Sequence, residues 1–407
     1  MNSDNNSNGI PNLRFPGFTG GWEEKKLGEV ANINPRTESI PNQFIYIDLE
    51  SVSSGVLLKR NLIEKVDAPS RAKRILTDGD ILFQTVRPYQ RNNYHFHKKD
   101  DYEYVASTGY AQIQYPECSE YLYQLLYADS FVESVMKKCV GGNYPAINSS
   151  DLGEITVPVP PTIAEQKKIA ECLSTVDELI EAQGLMVDAL KERKRGLMQQ
   201  LFPLPGETTP RLRFPSFTGE WEEKEFGKLI QESKLSSKEE NEDVLLTSAI
   251  DGMFLNSERF SHQRGKSTIG YRKIKKGMLI LSAQNLHLGN ANVNLRFDSG
   301  LVSPAYKVYT IVGCLPEFMA QWIKRDATKE FFLRATTQGA SECRKNVVWE
   351  QLYKQTIPVP NNDAEQRIIA DFLFQMDAQI VAQSQKLESL QAHKRGLMQQ
   401  LFPNPNK

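Results

Sequence analysis

The chain has 407 residues, 40% hydrophobic and 24% charged, with a formal net charge of −1. That is enough apolar material for two globular domains that each bury a core, while the absence of any window approaching 18 apolar residues excludes a membrane-spanning helix. Cys118, Cys139, Cys172, Cys314 and Cys343 are odd in number and free of CxxC spacing; this argues against a disulfide framework or a zinc site and for small buried hydrophobes.

Residues 1–10 are polar and lack an apolar h-region, so a disordered tail is expected rather than a signal peptide or anchor, in a soluble cytoplasmic protein. Residues 11–28 (PNLRFPGFTGGWEEKKLG) then reappear as 210–227 (PRLRFPSFTGEWEEKEFG) with thirteen of eighteen positions identical, and 194–203 (KRGLMQQLFP) reappears unchanged as 394–403. Displacements of 199 and 200 mark a tandem duplication of about half the protein. The stretches between the matched ends, 35–145 and 235–340, look scarcely related. Two like frames carrying different inserts predict two recognition surfaces in one fixed mutual geometry.

The first insert is basic: from 59 to 99, ten Lys or Arg stand against four acids. Residues 78–84 (DGDILFQ) predict a turn and an apolar strand, and 105–113 a second strand. His95 and His97 alternate along an expected strand edge, which suggests a surface or DNA-facing role. The polar run 84–93 follows the first strand. Its Gln84, Arg87, Gln90, Arg91, Asn92 and Asn93 are of the kinds that pair bidentately with base edges in the major groove. Lys73 and Arg74 add positive charge, and Gly142 and Asn143 lie in a glycine-rich loop whose backbone can approach a groove closely.

Proline runs at 157–161 and 357–360 precede two long helical patterns that end at Pro203 and Pro403. Thr162 and Asp363 are candidate N-caps, with Glu165 and Glu365 in first turns where the helix dipole favours acids. The seam Ile169, Leu173, Val176, Ile180, Gln183, Val187, Leu190 follows heptad spacing, and Ile369, Leu373, Met376, Ile380, Gln383, Leu387, Leu390 repeats it. Polar breaks fall at Gln183, Lys194, Gln383 and Lys394. Such a seam specifies a coiled coil. The two helices of one chain are expected to pair antiparallel, with Gln183 and Gln383 setting register.

In the second insert, residues 258–276 hold seven basic residues against one acid. Residues 276–282 (KGMLILS) and 301–309 match the two strands of the first insert, so the inserts are expected to share a fold. The candidate contacts here are Lys266, Arg272, Lys273, Gln284, Asn285, His287, Asn290, Arg344 and Lys345.

Enzyme signatures fail. Residues 265–268 (GKST) imitate the end of a phosphate-binding loop, but Phe260 stands where its first glycine belongs. Glu23-x-Lys25 and Glu222-x-Lys224 lack the upstream acid of a nuclease, and the five histidines lack metal-ligand spacing.

The frame at 14–30 with its echo at 213–229, GDIL at 79–82, the borders VPVPPTIAEQKKIA at 157–170 and IPVPNNDAEQRIIA at 357–370, and the twin KRGLMQQLFP ends resemble those of specificity subunits of type I restriction-modification systems. The resemblance covers essentially the whole chain; it departs at 277–280, where GMLI replaces GDIL and Asp80 has no counterpart. It implies an α+β fold: two mixed α/β target-recognition domains in a tandem pseudo-twofold repeat, joined by two long helices in an antiparallel coiled coil. The boundaries expected are a tail over 1–10, domains over 11–161 and 206–361, and helices over 162–205 and 362–407. It also implies that each domain reads half of a split sequence in double-stranded DNA, together with two DNA methyltransferase subunits and restriction or translocase subunits. The chain itself would have neither catalytic residues nor a metal or cofactor; S-adenosylmethionine, ATP and Mg would reside on partners. The competing reading from the residues is a coiled-coil scaffold that binds proteins through both inserts.

Overall fold

The computed structural model describes residues 9–37, 39–260, 267–337 and 345–403. They fall into two compact units: residues 1–183 together with 386–407, and residues 184–385. The long helices, Ile163–Leu201 and Asp363–Leu401, are each 39 residues long and each contribute to both units. Thr162 caps the first, its Oγ1 accepting from Glu165 N at 3.2 Å. The second is capped one residue earlier than expected. Asp363 is already helical, and Asn362 Oδ1 accepts from Ala364 N at 2.8 Å.

In unit 1, Ile169 and Leu173 from the start of one helix share a core with Leu397, Met398, Leu401 and Phe402 from the end of the other. In unit 2, Met198, Leu201 and Phe202 meet Ile369 and Leu373 in the same way. Within each unit the two stretches therefore run in opposite directions. Gln183, Val187 and Met376 are buried, whereas Val176, Ile180, Leu190, Ile380, Gln383, Leu387 and Leu390 are half-buried.

The frames form the remaining shared parts. Strand Glu23–Lys26 pairs antiparallel with Thr156–Val159, and Glu222–Glu225 with Thr356–Val359. The proline runs are thus strands of two-stranded sheets, where a missing N–H is tolerated. Gly9, assigned by sequence to a loose tail, is buried and accepts from Trp22 N at 2.9 Å.

Both inserts contain one four-stranded antiparallel sheet of the same order. In unit 1 it runs Asn32–Ile33, Tyr110–Gln114, Ile81–Gln84, Tyr94–His95; in unit 2 it runs Ile230–Ser233, Tyr306–Ile311, Leu279–Ser282, Ala291–Val293. The turn before each third strand uses a glycine at φ 84°, Gly79 and Gly277, where a side chain would be strained. Asp80 Oδ2 accepts from Thr77 N at 2.7 Å; in unit 2 Met278 Sδ takes the corresponding bond from Lys275 N at 3.3 Å. Elsewhere the inserts diverge. Unit 1 adds a second four-stranded sheet with a parallel pair, Gln43–Ile47 beside Tyr104–Ser107, whereas unit 2 has only two-stranded ribbons there among the described residues. Of the cysteines, Cys118 is buried while Cys139, Cys172 and Cys314 are half-buried; Cys343 lies outside the described residues.

Candidate functional site

A buried clamp in each unit ties the frame to a long helix. Arg14 donates to both carboxylate oxygens of Glu165, Nε to Oε1 at 2.7 Å and Nη2 to Oε2 at 2.8 Å, and Trp22 Nε1 donates to Oε1 at 3.3 Å. The same guanidinium holds the backbone oxygens of Gly20 and Thr19. Unit 2 repeats this with Arg213, Glu365 and Trp221 at 2.8, 2.8 and 3.2 Å. A planar fork on a carboxylate with 1% side-chain exposure fixes position as well as charge. The polar seam positions have a use too. Lys394 bonds Asp177 at 2.6 Å, and Gln124 joins that carboxylate at 2.8 Å; Lys194 bonds Asp377 at 2.6 Å, with Gln321 at 3.3 Å. Sequence spacing signals neither pair, because the partners stand 183 and 217 residues apart.

On this frame the first polar loop is braced to a defined shape. Arg87 and Arg91 are left-handed, at φ 53° and 54°, on either side of the short helical turn Pro88–Gln90, a conformation that costs about 1 kcal/mol or more per non-glycine residue. Arg87 N donates to Pro145 O at 2.7 Å, its guanidinium lies 4.1 Å from the centre of the Tyr144 ring, and Ile147 N donates to Thr85 O at 3.0 Å. The two loops proposed separately, 84–93 and 141–145, are therefore one surface. Gln90, Gly142 and Asn143 are exposed on it, and so are Tyr89 and Tyr144, two aromatics that the sequence reading passed over.

Four expected contacts are spent on bonds within unit 1. Gln84 is buried, its Nε2 donating to Val86 O at 2.7 Å and Gln90 Oε1 at 2.9 Å and its Oε1 accepting from Asn92 N at 3.1 Å. Asn93 is buried and accepts from Gln84 N at 2.9 Å. Asn92 Oδ1 accepts from Ser54 N, and Arg91 is held by Tyr127 O at 3.0 Å and Asp129 at 2.6 Å. These side chains shape the surface instead of presenting themselves to a ligand. Lys73 is exposed, while Arg74 is half-buried, and burial lowers its pKa.

His95 also turns inward. Its Nε2 lies 3.0 Å from Ser119 Oγ and its ring stacks on Tyr123 at 5.2 Å. Burial, then the neighbouring His97, lower its pKa to about 4, so the ring is neutral at pH 7.

In unit 2, Gln284 is exposed and Asn285 half-buried, and Gln284 O accepts from Lys345 N at 3.1 Å, which joins the loops 282–290 and 338–345 at their described ends. His287 and Asn290 are buried, Asn290 Oδ1 accepting from Ser248 Oγ at 3.3 Å, so both belong to the support of the loop. Arg272 and Lys273 lie half-buried on strand Arg272–Lys275, with Lys273 paired to Glu242. Lys266 and Arg344 lie outside the described residues. The local positive excess is smaller than the sequence count. Arg60 pairs with Asp100, Arg91 with Asp129, Arg259 with Asp251 and Lys273 with Glu242. Among the described residues no group of three or more His, Cys, Asp or Glu could hold a metal ion, and no helix is long and apolar enough to cross a membrane.

Comparison with known proteins places this geometry in company. Residues 19–185 match the type I restriction modification DNA specificity domain. The specificity subunit of the type I restriction enzyme HindI from Haemophilus influenzae is 26% identical over 190 residues, covering 44% of this chain and 40% of that relative. A solved chain from work on complex assembly and conformational transition of the type I R-M system aligns with a TM-score of 0.57 at 20% identity, over 95% of this chain and 99% of that one. The S subunit of a type I restriction-modification system from M. genitalium aligns with a TM-score of 0.56 at 14% identity, over 97% and 99%. At these identities the structural likeness establishes the mixed α/β fold.

Proposed function

From the premise that the chain belongs, through residues 19–185, to the type I restriction modification DNA specificity family, we propose that it is the sequence-specific DNA-binding subunit of a type I restriction-modification complex. Each insert reads one half of a bipartite target with a non-specific spacer. The paired long helices act as an antiparallel coiled coil that sets the distance between half-sites, and the frames dock two adenine methyltransferase subunits. Restriction or translocase subunits complete the complex, and S-adenosylmethionine, ATP and Mg are bound by partners. The chain tells those enzymes where to act and performs no chemistry itself.

The observation that carries this reading is the pair of matching clamps, Arg14–Glu165–Trp22 and Arg213–Glu365–Trp221, beneath two dissimilar polar loops. Equal mounts under unequal surfaces suit a molecule whose two halves meet equal partners and unequal sequences. Specific readout needs side chains at base edges, and among the described residues Arg87, Gln90, Asn143, Gln284 and Asn285 are candidates for it.

Mapping methylated adenines in cells that carry this chain with its partner methyltransferase tests the proposal. The expected result is a motif in two parts separated by a fixed unread spacer; a single contiguous motif, or none, refutes it.

A further inference from the structure

The two units are not equally charged where the end of a long helix meets the insert. In unit 2 a groove of about 870 Å³ beside the end of the first long helix is lined by six cations, Lys191, Lys194, Arg195, Arg211, Lys324 and Arg325, and two acids, Asp326 and Asp377. Its floor is apolar, with Met198 and Ile380. The corresponding cavity of unit 1, about 350 Å³, has two cations, Arg91 and Arg395, against Asp129 and Glu133. Position by position, Asn12 stands for Arg211, Gln391 for Lys191, Tyr127 for Lys324 and Ala128 for Arg325. The last pair are the N-caps of equivalent helices, Asp129–Lys138 and Asp326–Arg334.

Lys194 is committed to Asp377. Lys191, Arg195 and Arg211 touch only exposed acids on their own segments, Asp188, Glu192 and Glu207, contacts of the kind that contribute little in water. Lys324 and Arg325 have no carboxylate within 4.0 Å among the described residues. Lys324 Nζ donates to Ile250 O at 2.8 Å and Asn292 Oδ1 at 2.7 Å. The half-buried Arg325 lies 4.8 Å from the centre of the Phe202 ring, with Pro203 O at 3.4 Å from Nη2. Burial lowers the pKa of Arg325 to about 10, which leaves it charged at pH 7. A half-buried guanidinium without an anion is an unfinished pair.

We propose that this groove seats phosphates of the DNA backbone, on the unit 2 side only; the inference rests on the DNA-reading function above. The connection to the candidate loop decides for DNA over another polyanion. Asn292, which receives Lys324, donates to Ser248 Oγ at 2.7 Å, and Ser248 donates to Asn290 at the end of the polar loop 282–290. Cationic groove and polar loop thus rest on one network of bonds within one unit, which favours the ligand of the loop as the ligand of the groove. The lining combines these cations with the exposed amides of Gln199 and Gln200, groups that bond phosphate oxygens and so fix the position of a backbone.

The test uses the full chain assembled with its methyltransferase partners, and the double variant Lys191→Gln/Arg211→Asn, which installs the neutral residues of unit 1 at two exposed sites. Affinity for a target duplex and for a random duplex is measured across a salt series. Removing two phosphate contacts should make the slope of log affinity against log salt shallower by about 2, with the ratio between duplexes unchanged. An unchanged slope overturns the inference, as does a loss confined to the target duplex. An unchanged slope with weakened subunit assembly also overturns it, and assigns the groove to an acidic partner. Wild-type complex that fails to bind DNA at all would instead refute the DNA-reading function, so the two failures are distinguishable.

Discussion

Replacing Glu165 by alanine removes the hub of the unit 1 clamp and strands two donors. Arg14 has 15% side-chain exposure and Glu165 1%, so the pair counts as buried, and removing one partner from a buried pair costs about 3–5 kcal/mol. The indole N–H of Trp22 loses its acceptor, worth about 1 kcal/mol more. Against this, Arg14 keeps Gly20 O at 2.6 Å and Thr19 O at 3.0 Å, which holds the net loss near 3–4 kcal/mol. At 1.4 kcal/mol per decade the folding equilibrium falls by two to three orders of magnitude. Urea unfolding of wild type and variant measures the difference, and amide exchange over residues 14–30 and 156–170 locates it in unit 1. Glu365→Ala supplies the replicate: the same geometry in unit 2 should cost the same within about 0.5 kcal/mol, with exchange rising there instead. Arg14→Lys, which cannot form the fork, should recover only part of the loss. A Glu165→Ala variant within 1 kcal/mol of wild type would refute the claim that the clamp anchors the frame.

Three further outcomes are expected. Gln84→Ala should destabilise unit 1 by about 2 kcal/mol, because three part-buried bonds of a buried side chain are lost, whereas the exposed Gln90→Ala should cost less than about 0.5 kcal/mol; equal losses in thermal unfolding would contradict the assignment of Gln84 to loop support. The His95 pKa of about 4 lies below its unfolded value, so the unfolded chain takes up the proton first as pH falls. Stability is then complete above about pH 6.5 and is lost progressively down to pH 4, by about 2 kcal/mol after allowance for partial exposure. The urea midpoint of His95→Gln should lack this dependence; a wild-type midpoint unchanged between pH 7 and 4.5 would refute it. Insertion of four residues near Gly184 should lengthen the spacer between half-sites, and an unaltered methylation motif would show that the helices do not set it.

What was legible in the sequence was local or repeated. The duplication, the heptad seam and the proline borders declare themselves within a few residues. The strand after Gly79 and its counterpart after Gly277 do so as well, because apolar periodicity and turn chemistry are short-range signals. Partners distant in sequence were not legible. Lys194 and Lys394 looked like polar breaks in a seam, and their carboxylates lie 183 and 217 residues away. The basic excess of the two segments is partly cancelled for a similar reason: Asp100, Asp129, Glu242 and Asp251, which neutralise Arg60, Arg91, Lys273 and Arg259, lie outside residues 59–99 and 258–276. Amide side chains carry no mark that separates bracing a loop from reading a base, so Gln84 and Asn93 could not be told from Gln90. His95 alternates outward from its sheet, but the helix Ser119–Leu125 covers that face, which strand periodicity alone does not report.

The meeting of helix end and frame is closed by the same backbone bond in both units, Leu13 N to Gln400 O and Leu212 N to Gln200 O, each at 2.9 Å. In unit 2 a continuous peptide crosses that junction over residues 203–210; in unit 1 no peptide bond joins residue 403 to residue 11. The same bond thus closes a covalently linked junction in unit 2 and an unlinked one in unit 1. A chain reopened within 203–210 and spliced from 403 to 11 by a link of similar length would contain the same two units in reversed order. The order of the inserts along the polypeptide therefore does not enter the bond that closes either unit.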